Sequence, residues 1–382
     1  MINGKKLIEI RKAGFVNKGA ELMLYAILDK MKKEFPDAEF AMETAYRAAP
    51  YKNRAEHGFY QKAQFWYKGF QFGRLFSIVP KQIRDVFGIV LDKELDVVLD
   101  AAGFAYGDQW GASKTEALAD SCKRWKKHGV KTILMPQAFG PFTSKRIKNA
   151  ITVIADNADL IFAREQKSYD YLISTVGKRE NVMLYPDFTI LVEGEVPDYF
   201  DPNVHGVCIV PNKQMVIMAK INYEVYIEYL VKIINFYIEI GQNPFILIHE
   251  QGADKKIAED VLLLLNTKIP VLSESNPLVI KGILGASYAT IGSRFHGLVG
   301  ALSQGVPSLA MGWSHKYEEL FNDYCYPEGV VDFNCSDEEL KEKLGMVVDE
   351  SKRIKIVEIL NRESKNIKER SEEMWAKVCG LI

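Results

Sequence analysis

A buried strand that leads directly into a polar turn is predicted by the stretch Ala289-Thr290-Ile291-Gly292-Ser293-Arg294-Phe295-His296-Gly297-Leu298. Apolar residues from Leu298 then begin a helix, and another strand is predicted at Ser308–Met311. At the carboxyl end of a parallel strand, a ligand meets backbone N–H groups, and here it also meets a guanidinium and an imidazole. The stretch therefore predicts an α/β unit with a site for an anionic substrate and for proton transfer.

The same alternation of strands and amphipathic helices continues along the chain, which is typical of a parallel α/β fold. The predicted strands are Lys6–Arg11, Asp96–Asp100, Val130–Pro136, Asp159–Ala163, Asn181–Tyr185, Gly206–Val210, Phe245–His249, Val271–Leu272, Ala289–Ile291 and Ser308–Met311. Glycine and prolines among acidic residues predict a linker at Glu193–Asn203. We therefore expect two α/β domains, residues 1–197 and 203–345, facing a central cleft. A helical segment, 346–382, would follow and pack back on the first domain.

Composition narrows the class of protein. The 382 residues are 48% hydrophobic and carry a net charge of −1, so we expect a globular protein without a nucleic-acid partner. The five cysteines are scattered and predicted to be reduced thiols. Neither a signal peptide at Met1–Glu9 nor a membrane-spanning stretch is predicted, so we expect a cytoplasmic location.

Residues 46–84 form an unusual segment with ten aromatic residues and eight Lys or Arg, against the single acid Glu56. One interpretation is an insertion whose aromatic side chains pack on the first domain. The other is a contact with the acceptor or with the inner face of the membrane, because aromatic and basic residues suit sugars and anionic head groups.

Two arginines follow apolar strands and are candidates for binding anions. Burying an arginine at such a position costs free energy unless an anion contacts it. Arg294 is one of the two arginines at such a position. Arg164 follows the strand Leu160–Ala163 in the same way, although a salt bridge with Glu165 or another nearby acid explains it equally well. His296, beside Arg294, is either a structural histidine or an acid/base catalyst. We predict no metal site.

The order of several motifs resembles the polysaccharide pyruvyl transferase family. The most specific resemblance is Ser293-Arg294-Phe295-His296-Gly297, followed by Gly305-Val306-Pro307 and then Lys316. Others that are similar to family motifs are Asn17-Lys18-Gly19, a loop at Pro136–Pro141 with Gln137, Ala163-Arg164-Glu165 with Ser168, Asp187, and His249 with Asp254. The chain departs from the family pattern at Ala20, where the family usually has Asp, and at Ala102, where it has Gly.

The resemblance implies a GT-B-like fold of two Rossmann-like domains and a role in polysaccharide biosynthesis. It implies phosphoenolpyruvate as donor, no further cofactor, and a sugar or glycan acceptor, with a lipid-linked one among the candidates. His296 is then the expected general acid/base, Arg294 and Arg164 are anion ligands, and the N terminus of a helix starting at Leu298 is a supplementary phosphate site. The other expected substrate-binding residues are Asn17, Gly19, Gln137, Asp187, His249, Ser293 and Lys316.

Two other functions remain open at this point. A sugar-nucleotide glycosyltransferase on the same architecture would also place Arg and Lys near a diphosphate. A non-catalytic relative that binds a glycan or phosphate is the second, and the changes at Ala20 and Ala102 favour it.

Overall fold

The computed structural model describes residues 4–45, 48–64, 66–67, 70–250, 252–312 and 314–382, without the side chains of 66–67, 70–71 and 74. The chain divides into two compact units. Unit 1 comprises Met1–Phe188 and Arg370–Ile382, and unit 2 comprises Thr189–Glu369. The segment predicted as a linker therefore belongs to unit 2, where the backbone N–H of Glu195 donates to the carbonyl of Leu278 at 2.9 Å.

Unit 1 is built on a parallel sheet with helices. Its strands are β1 (Leu7–Arg11), β2 (Glu39–Glu43), β3 (Tyr60–Lys62), β4 (Trp66–Tyr67), β5 (Phe70–Gln71), β6 (Ile89–Val90), β7 (Val97–Asp100), β8 (Phe104–Tyr106), β9 (Lys131–Phe139), β10 (Leu160–Ala163) and β11 (Val182–Leu184). Its helices are α1 (Lys18–Glu34), α2 (Tyr51–Glu56), α3 (Lys81–Val86), α4 (Ala112–Lys127), α5 (Lys145–Asn157) and α6 (Gln166–Val176). The strand order is β11-β10-β9-β7-β1-β2-β3-β6, β8 pairs with β9, and β4 and β5 form a separate antiparallel pair. The order changes direction between β1 and β7, a position where open parallel sheets bind ligands.

A row of buried charges of alternating sign crosses this sheet at the carboxyl ends of β7, β1, β2 and β3. Arg11 lies in register with Asp100, and Glu43 lies in register with Lys62. Arg11 Nη2 lies 3.7 Å from Glu43 Oε2, and the guanidinium lies over the ring of Trp125 on α4. All four side chains are at most 8% exposed, so each buried charge requires partners of opposite sign nearby.

Unit 2 contains a second parallel sheet. Its strands are β12 (Val207–Val210), β13 (Pro244–Ile248), β14 (Val271–Ser273), β15 (Ala289–Gly292), β16 (Ser308–Met311) and β17 (Val330–Val331). Its helices are α7 (Gln214–Ile217), α8 (Tyr223–Glu239), α9 (Ala253–Leu264), α10 (Pro277–Ala286), α11 (Phe295–Leu302), α12 (His315–Asp323) and α13 (Asp337–Met346), and α14 (Glu350–Leu381) runs on into unit 1. The order β14-β13-β12-β15-β16-β17 is that of a Rossmann fold, with the change of direction between β12 and β15.

Strand β12 shows why the predicted strands of this unit are almost entirely apolar. Val207 and Ile209 join the core formed with α8 and α9, while Cys208 and Val210 join a different core with α10. Because helices cover both faces of the sheet, a strand has no solvated face and no polar alternation.

The structure differs from the predicted elements at two places that matter for the site. The helix after Arg294 begins at Phe295 rather than at Leu298, so His296 lies within its first turn. Gln137, predicted to lie in a loop, is part of β9, which continues to Phe139. Both errors lie at element ends, where polar residues hide the true boundary.

Candidate active site

The site in unit 2 lies where the strand order changes direction. Asn212 follows β12, His249 follows β13 and Arg294 follows β15, so these three residues come from the carboxyl ends of adjacent strands. All three are at most 7% exposed. The position is the one at which open α/β sheets bind small ligands.

The turn between β15 and α11 is held through the carbonyl of Ser293. Asn212 Nδ2 donates to this oxygen at 2.5 Å, and the Tyr317 hydroxyl donates to it at 2.7 Å. The Tyr226 hydroxyl accepts from the Asn212 N–H at 3.0 Å. Sequence reasoning missed all three residues, since nothing in the local pattern shows that Asn212 and Tyr317 meet one carbonyl or that Tyr226 holds Asn212.

Arg294 has acidic partners inside the protein. Its Nε and Nη2 donate to Asp254 Oδ2 at 3.1 and 2.5 Å, and Nη2 lies 2.7 Å from Glu250 Oε2. Burial raises the pKa of the Asp254 carboxyl above its usual value, while the Arg294 guanidinium opposes that shift. Asp254 and Glu250 thus supply the anion that a buried arginine requires. Within the described residues, Nη1 of Arg294 makes no hydrogen bond.

The two histidines of the site are close to the first turn of α11. His296 is half-buried in that turn, and His249 is buried at the end of β13. A Cβ placed on Gly297 would lie 3.4 Å from Arg294 Cβ and 3.8 Å from His249 Cδ2. These distances place His249, Arg294 and the residue after His296 side by side.

Lys316 joins the same cluster from α12. Its ammonium lies 5.4 Å from the ring centroid of Phe295 and 5.1 Å from that of Tyr317. The predicted residues His249, Ser293, Arg294, His296 and Lys316 are therefore brought together in unit 2. Trp313, three residues before Lys316, lies outside the described residues.

A second cluster in unit 1 contains three of the predicted residues. The Arg164 N–H donates to the Gln137 carbonyl at 3.0 Å, and Arg164 Nη1 donates to Asp187 Oδ2 at 3.2 Å. Glu165 lies 3.6 Å from Arg164 Nε and accepts a hydrogen bond from the Ser168 hydroxyl. Arg164 is thus paired with nearby acids, as the salt-bridge interpretation of the sequence required.

Asn17 and Gly19 lie at the start of α1, where Asn17 is the N-cap. Its Oδ1 accepts from the N–H groups of Gly19 and Ala20 at 3.0 and 3.2 Å. Satisfying two of the unpaired N–H groups at a helix start is the ordinary function of a capping asparagine. The geometry therefore gives this side chain a structural role whether or not it also contacts a substrate.

The remaining predictions concern metals, the membrane and residues 46–84. No group of three or more His, Cys, Asp or Glu residues that could hold a metal occurs in the described part of the chain. No described helix is long and apolar enough to cross a membrane. The segment 46–84 lies partly outside the described residues, namely at 46–47, 65 and 68–69.

Solved structures with a similar fold include UDP-GlcNAc 2-epimerases. The chain is similar to UDP-GlcNAc 2-epimerase from Neisseria meningitidis bound to UDP-GlcNAc, with a TM-score of 0.61, 11% identity and coverage of 98% of this chain and 99% of that chain. It is similar to UDP-GlcNAc 2-epimerase from Methanocaldococcus jannaschii at a TM-score of 0.59 and 14% identity, with the same coverage. It is also similar to Anabaena Alr3699/HepE in complex with UDP-glucose, at a TM-score of 0.57 and 12% identity, over 99% of this chain and 100% of that chain. These likenesses establish a GT-B-like fold with two Rossmann-like units.

The family is established by a separate comparison. The profile of the polysaccharide pyruvyl transferases matches residues 17–315. The match extends from the Asn17 cap to the start of α12, and it contains Arg164, His249, Arg294 and His296. The chain therefore belongs to the polysaccharide pyruvyl transferase family.

Proposed function

We propose that this protein transfers the enolpyruvyl-derived group of phosphoenolpyruvate to two hydroxyls of a sugar, forming a pyruvate ketal and releasing phosphate. A proton adds to the methylene carbon, and one sugar hydroxyl adds to C2. The bond from C2 to the phosphate oxygen then breaks, and the second hydroxyl closes the ketal at C2. The two hydroxyl protons balance the one taken up by carbon and the one that leaves on phosphate.

The observation that carries this proposal is that Arg294 and His296 lie close together along the chain at the carboxyl end of β15. Arg294 is held by Asp254 and Glu250, and its Nη1 makes no hydrogen bond among the described residues. His296 follows two residues later, in the first turn of α11. An anion bound to Nη1 and to the N–H groups of that turn would lie beside an imidazole.

This arrangement supports separate roles for the site residues. We assign His296 as the general acid/base that moves one of the protons, since an imidazole changes charge near neutral pH. Arg294 and Lys316 are the proposed ligands of the donor's anionic groups, and the start of α11 at Phe295 replaces Leu298 as the supplementary phosphate site. Ser293 and His249 are proposed substrate ligands in the same unit. In unit 1, the proposed substrate ligands are Arg164, Asn17, Gly19, Gln137 and Asp187.

The test is phosphate release from phosphoenolpyruvate across a panel of soluble sugar acceptors. His296→Ala should lower turnover by about 10²- to 10⁴-fold, the usual contribution of one acid/base group. His128→Ala is the matched control, because His128 is exposed at the end of α4. A His296→Ala enzyme with near-normal turnover would overturn the assigned role.

Ligand-induced thermal stabilisation separates the proposed reaction from the two other functions. Stabilisation by phosphoenolpyruvate supports pyruvyl transfer. The solved neighbours include structures with UDP, UDP-GlcNAc and UDP-glucose, so a nucleoside diphosphate is the second ligand to test. Stabilisation by nucleoside diphosphates alone would favour sugar-nucleotide chemistry, and stabilisation by a sugar alone would favour a binding protein.

A further inference from the structure

A short apolar surface in unit 1 is unusually exposed. It is formed by six side chains of the 3₁₀ helix Gly73–Ile78, of α3 and of the residue after it, and we call it the apolar segment: Leu75, Phe76, Ile78, Ile83, Val86 and Phe87. Ile78 is 80% exposed and Val86 is 79% exposed. Single exposed apolar residues are common on proteins, but six within 13 positions of the chain are a concentration that is typical of an interaction surface.

A cavity of about 370 Å³ adjoins the apolar segment. Gly73 and Ser77, from the 3₁₀ helix that carries Leu75, Phe76 and Ile78, line one part of it. Lys93, Arg124, Lys127 and His128 line another part. One short helix therefore presents apolar side chains to solvent and borders a cavity with basic walls.

The charge of this cavity is positive. Asp92 is the one acidic residue among the described residues that line it, and its carboxylate contacts the buried Lys62 at 2.6 Å, Arg124 Nε at 3.2 Å and Trp125 Nε1 at 2.8 Å. Lys93 and Lys127 are exposed and form no ion pair within the described residues. The helix dipole accounts for a lysine such as Lys127 at the C-terminal end of α4. It does not account for Lys93, which lines the same cavity but lies on a different element. The cavity thus presents two ammonium groups, those of Lys93 and Lys127, that no acid in the described part of the chain neutralises.

We propose that the apolar segment and this basic cavity dock the protein on the surface of an anionic phospholipid membrane, with a head-group phosphate in the cavity. Apolar side chains beside basic ones are the combination that binds the boundary between head groups and acyl chains. A soluble anion would use the cavity but would leave the apolar segment in water. A second copy of the chain would cover the apolar segment but would have to face its own lysines. An anionic membrane satisfies both surfaces, and this inference is independent of the reaction proposed above.

Vesicle sedimentation with the full-length protein tests the proposal. We compare vesicles of phosphatidylcholine alone with vesicles that also contain phosphatidylglycerol, at low and high salt. The protein should bind the anionic vesicles, and salt should weaken the binding. Lys93→Gln with Lys127→Gln should weaken it about 30-fold, since a basic residue near an anionic surface contributes about fivefold. Ile78→Ser with Phe87→Ser should also reduce binding at constant charge.

Matched controls keep the result specific. Leu263→Ser removes a side chain that is 81% exposed on α9 of unit 2, and Lys268→Gln with Lys341→Gln removes two exposed lysines of the same unit. Neither control should alter vesicle binding. Binding that survives both test variants, or no binding to anionic vesicles at all, would overturn the proposal. So would binding of inorganic phosphate without vesicle binding, or a dimer in sedimentation velocity that Ile78→Ser with Phe87→Ser dissociates.

Discussion

At the scale of single residues, the most instructive side chain is Arg294. A buried arginine after an apolar strand predicts an anion nearby, and the structure supplies two, Asp254 and Glu250. Their carboxylates hold Nε and Nη2 and thereby fix the plane of the guanidinium. We infer that Arg294 acts as an oriented donor through Nη1 rather than as an unpaired positive charge.

This orientation leads to a prediction for Arg294→Lys. A lysine keeps the charge but cannot hold Asp254 through two nitrogens while presenting a third, so kcat/KM for phosphoenolpyruvate should fall at least about tenfold. Arg362→Lys is the control, because Arg362 is exposed and paired with Glu363. Phosphate-release kinetics measure the effect, and circular dichroism verifies the fold. An unchanged kcat/KM would show that Arg294 only stabilises the turn.

Individual site residues were predictable where the chain itself places them together. Arg294 and His296 are two positions apart after an obvious strand, so their neighbourhood follows from the sequence. Asn212 and Tyr317 are far from Ser293 along the chain, and only the packed sheet and α12 bring them to its carbonyl. A contact of that kind depends on tertiary structure and leaves no local pattern.

At the scale of elements, the row Asp100, Arg11, Glu43 and Lys62 shows how the first sheet accommodates charge. Strands β2 and β3 were not predicted, because β2 has glutamates at both ends and β3 ends in a lysine. Those charges look like solvated residues in the sequence. In the fold, Glu43 and Lys62 are buried beside partners of opposite sign, which no composition or periodicity reveals.

The free energy of unfolding should depend on pH through the buried charges of this row. Burial acts to raise the pKa of Glu43, but Arg11, Lys12 and Lys62 outweigh it and lower the pKa below its usual value. A carboxyl with a lowered pKa stabilises the fold above its unfolded value of about 4.3, and this contribution is lost as the pH falls through the folded pKa. Glu43→Gln should therefore cost about 3 kcal/mol near neutral pH and progressively less below about pH 4.

Urea unfolding across this pH range measures the difference between the two proteins. Glu39→Gln is the control on the same strand, since Glu39 is part-exposed and its ion pair is with the exposed Lys5. Its effect should stay within about 0.5 kcal/mol. A cost of Glu43→Gln that did not change with pH would mean that packing, rather than charge, accounts for it.

At the scale of the whole molecule, the chain completes its first unit with its last residues. Helix α14 begins in unit 2, and its residues from Arg370 belong to unit 1. There the Trp375 ring packs edge-on against Phe188 with centroids 5.9 Å apart, and Met374, Trp375 and Val378 are at most 1% exposed. The sequence predicts a helical segment here that packs back on the first domain, but its charged pattern does not show which of its residues become buried.

Trp375→Ala should consequently destabilise the unit that lies first in the sequence. Removing a fully buried tryptophan leaves a cavity and costs about 3–5 kcal/mol. Hydrogen exchange followed by mass spectrometry should show faster exchange in β9 and β10 of unit 1, with β12 and β15 of unit 2 unaffected. Lys377→Ala, two residues away on the solvent side of the same helix, should leave both units unaffected. An equal rise in exchange in both sheets would contradict the assignment, because the cavity would then weaken the whole chain as one cooperative body.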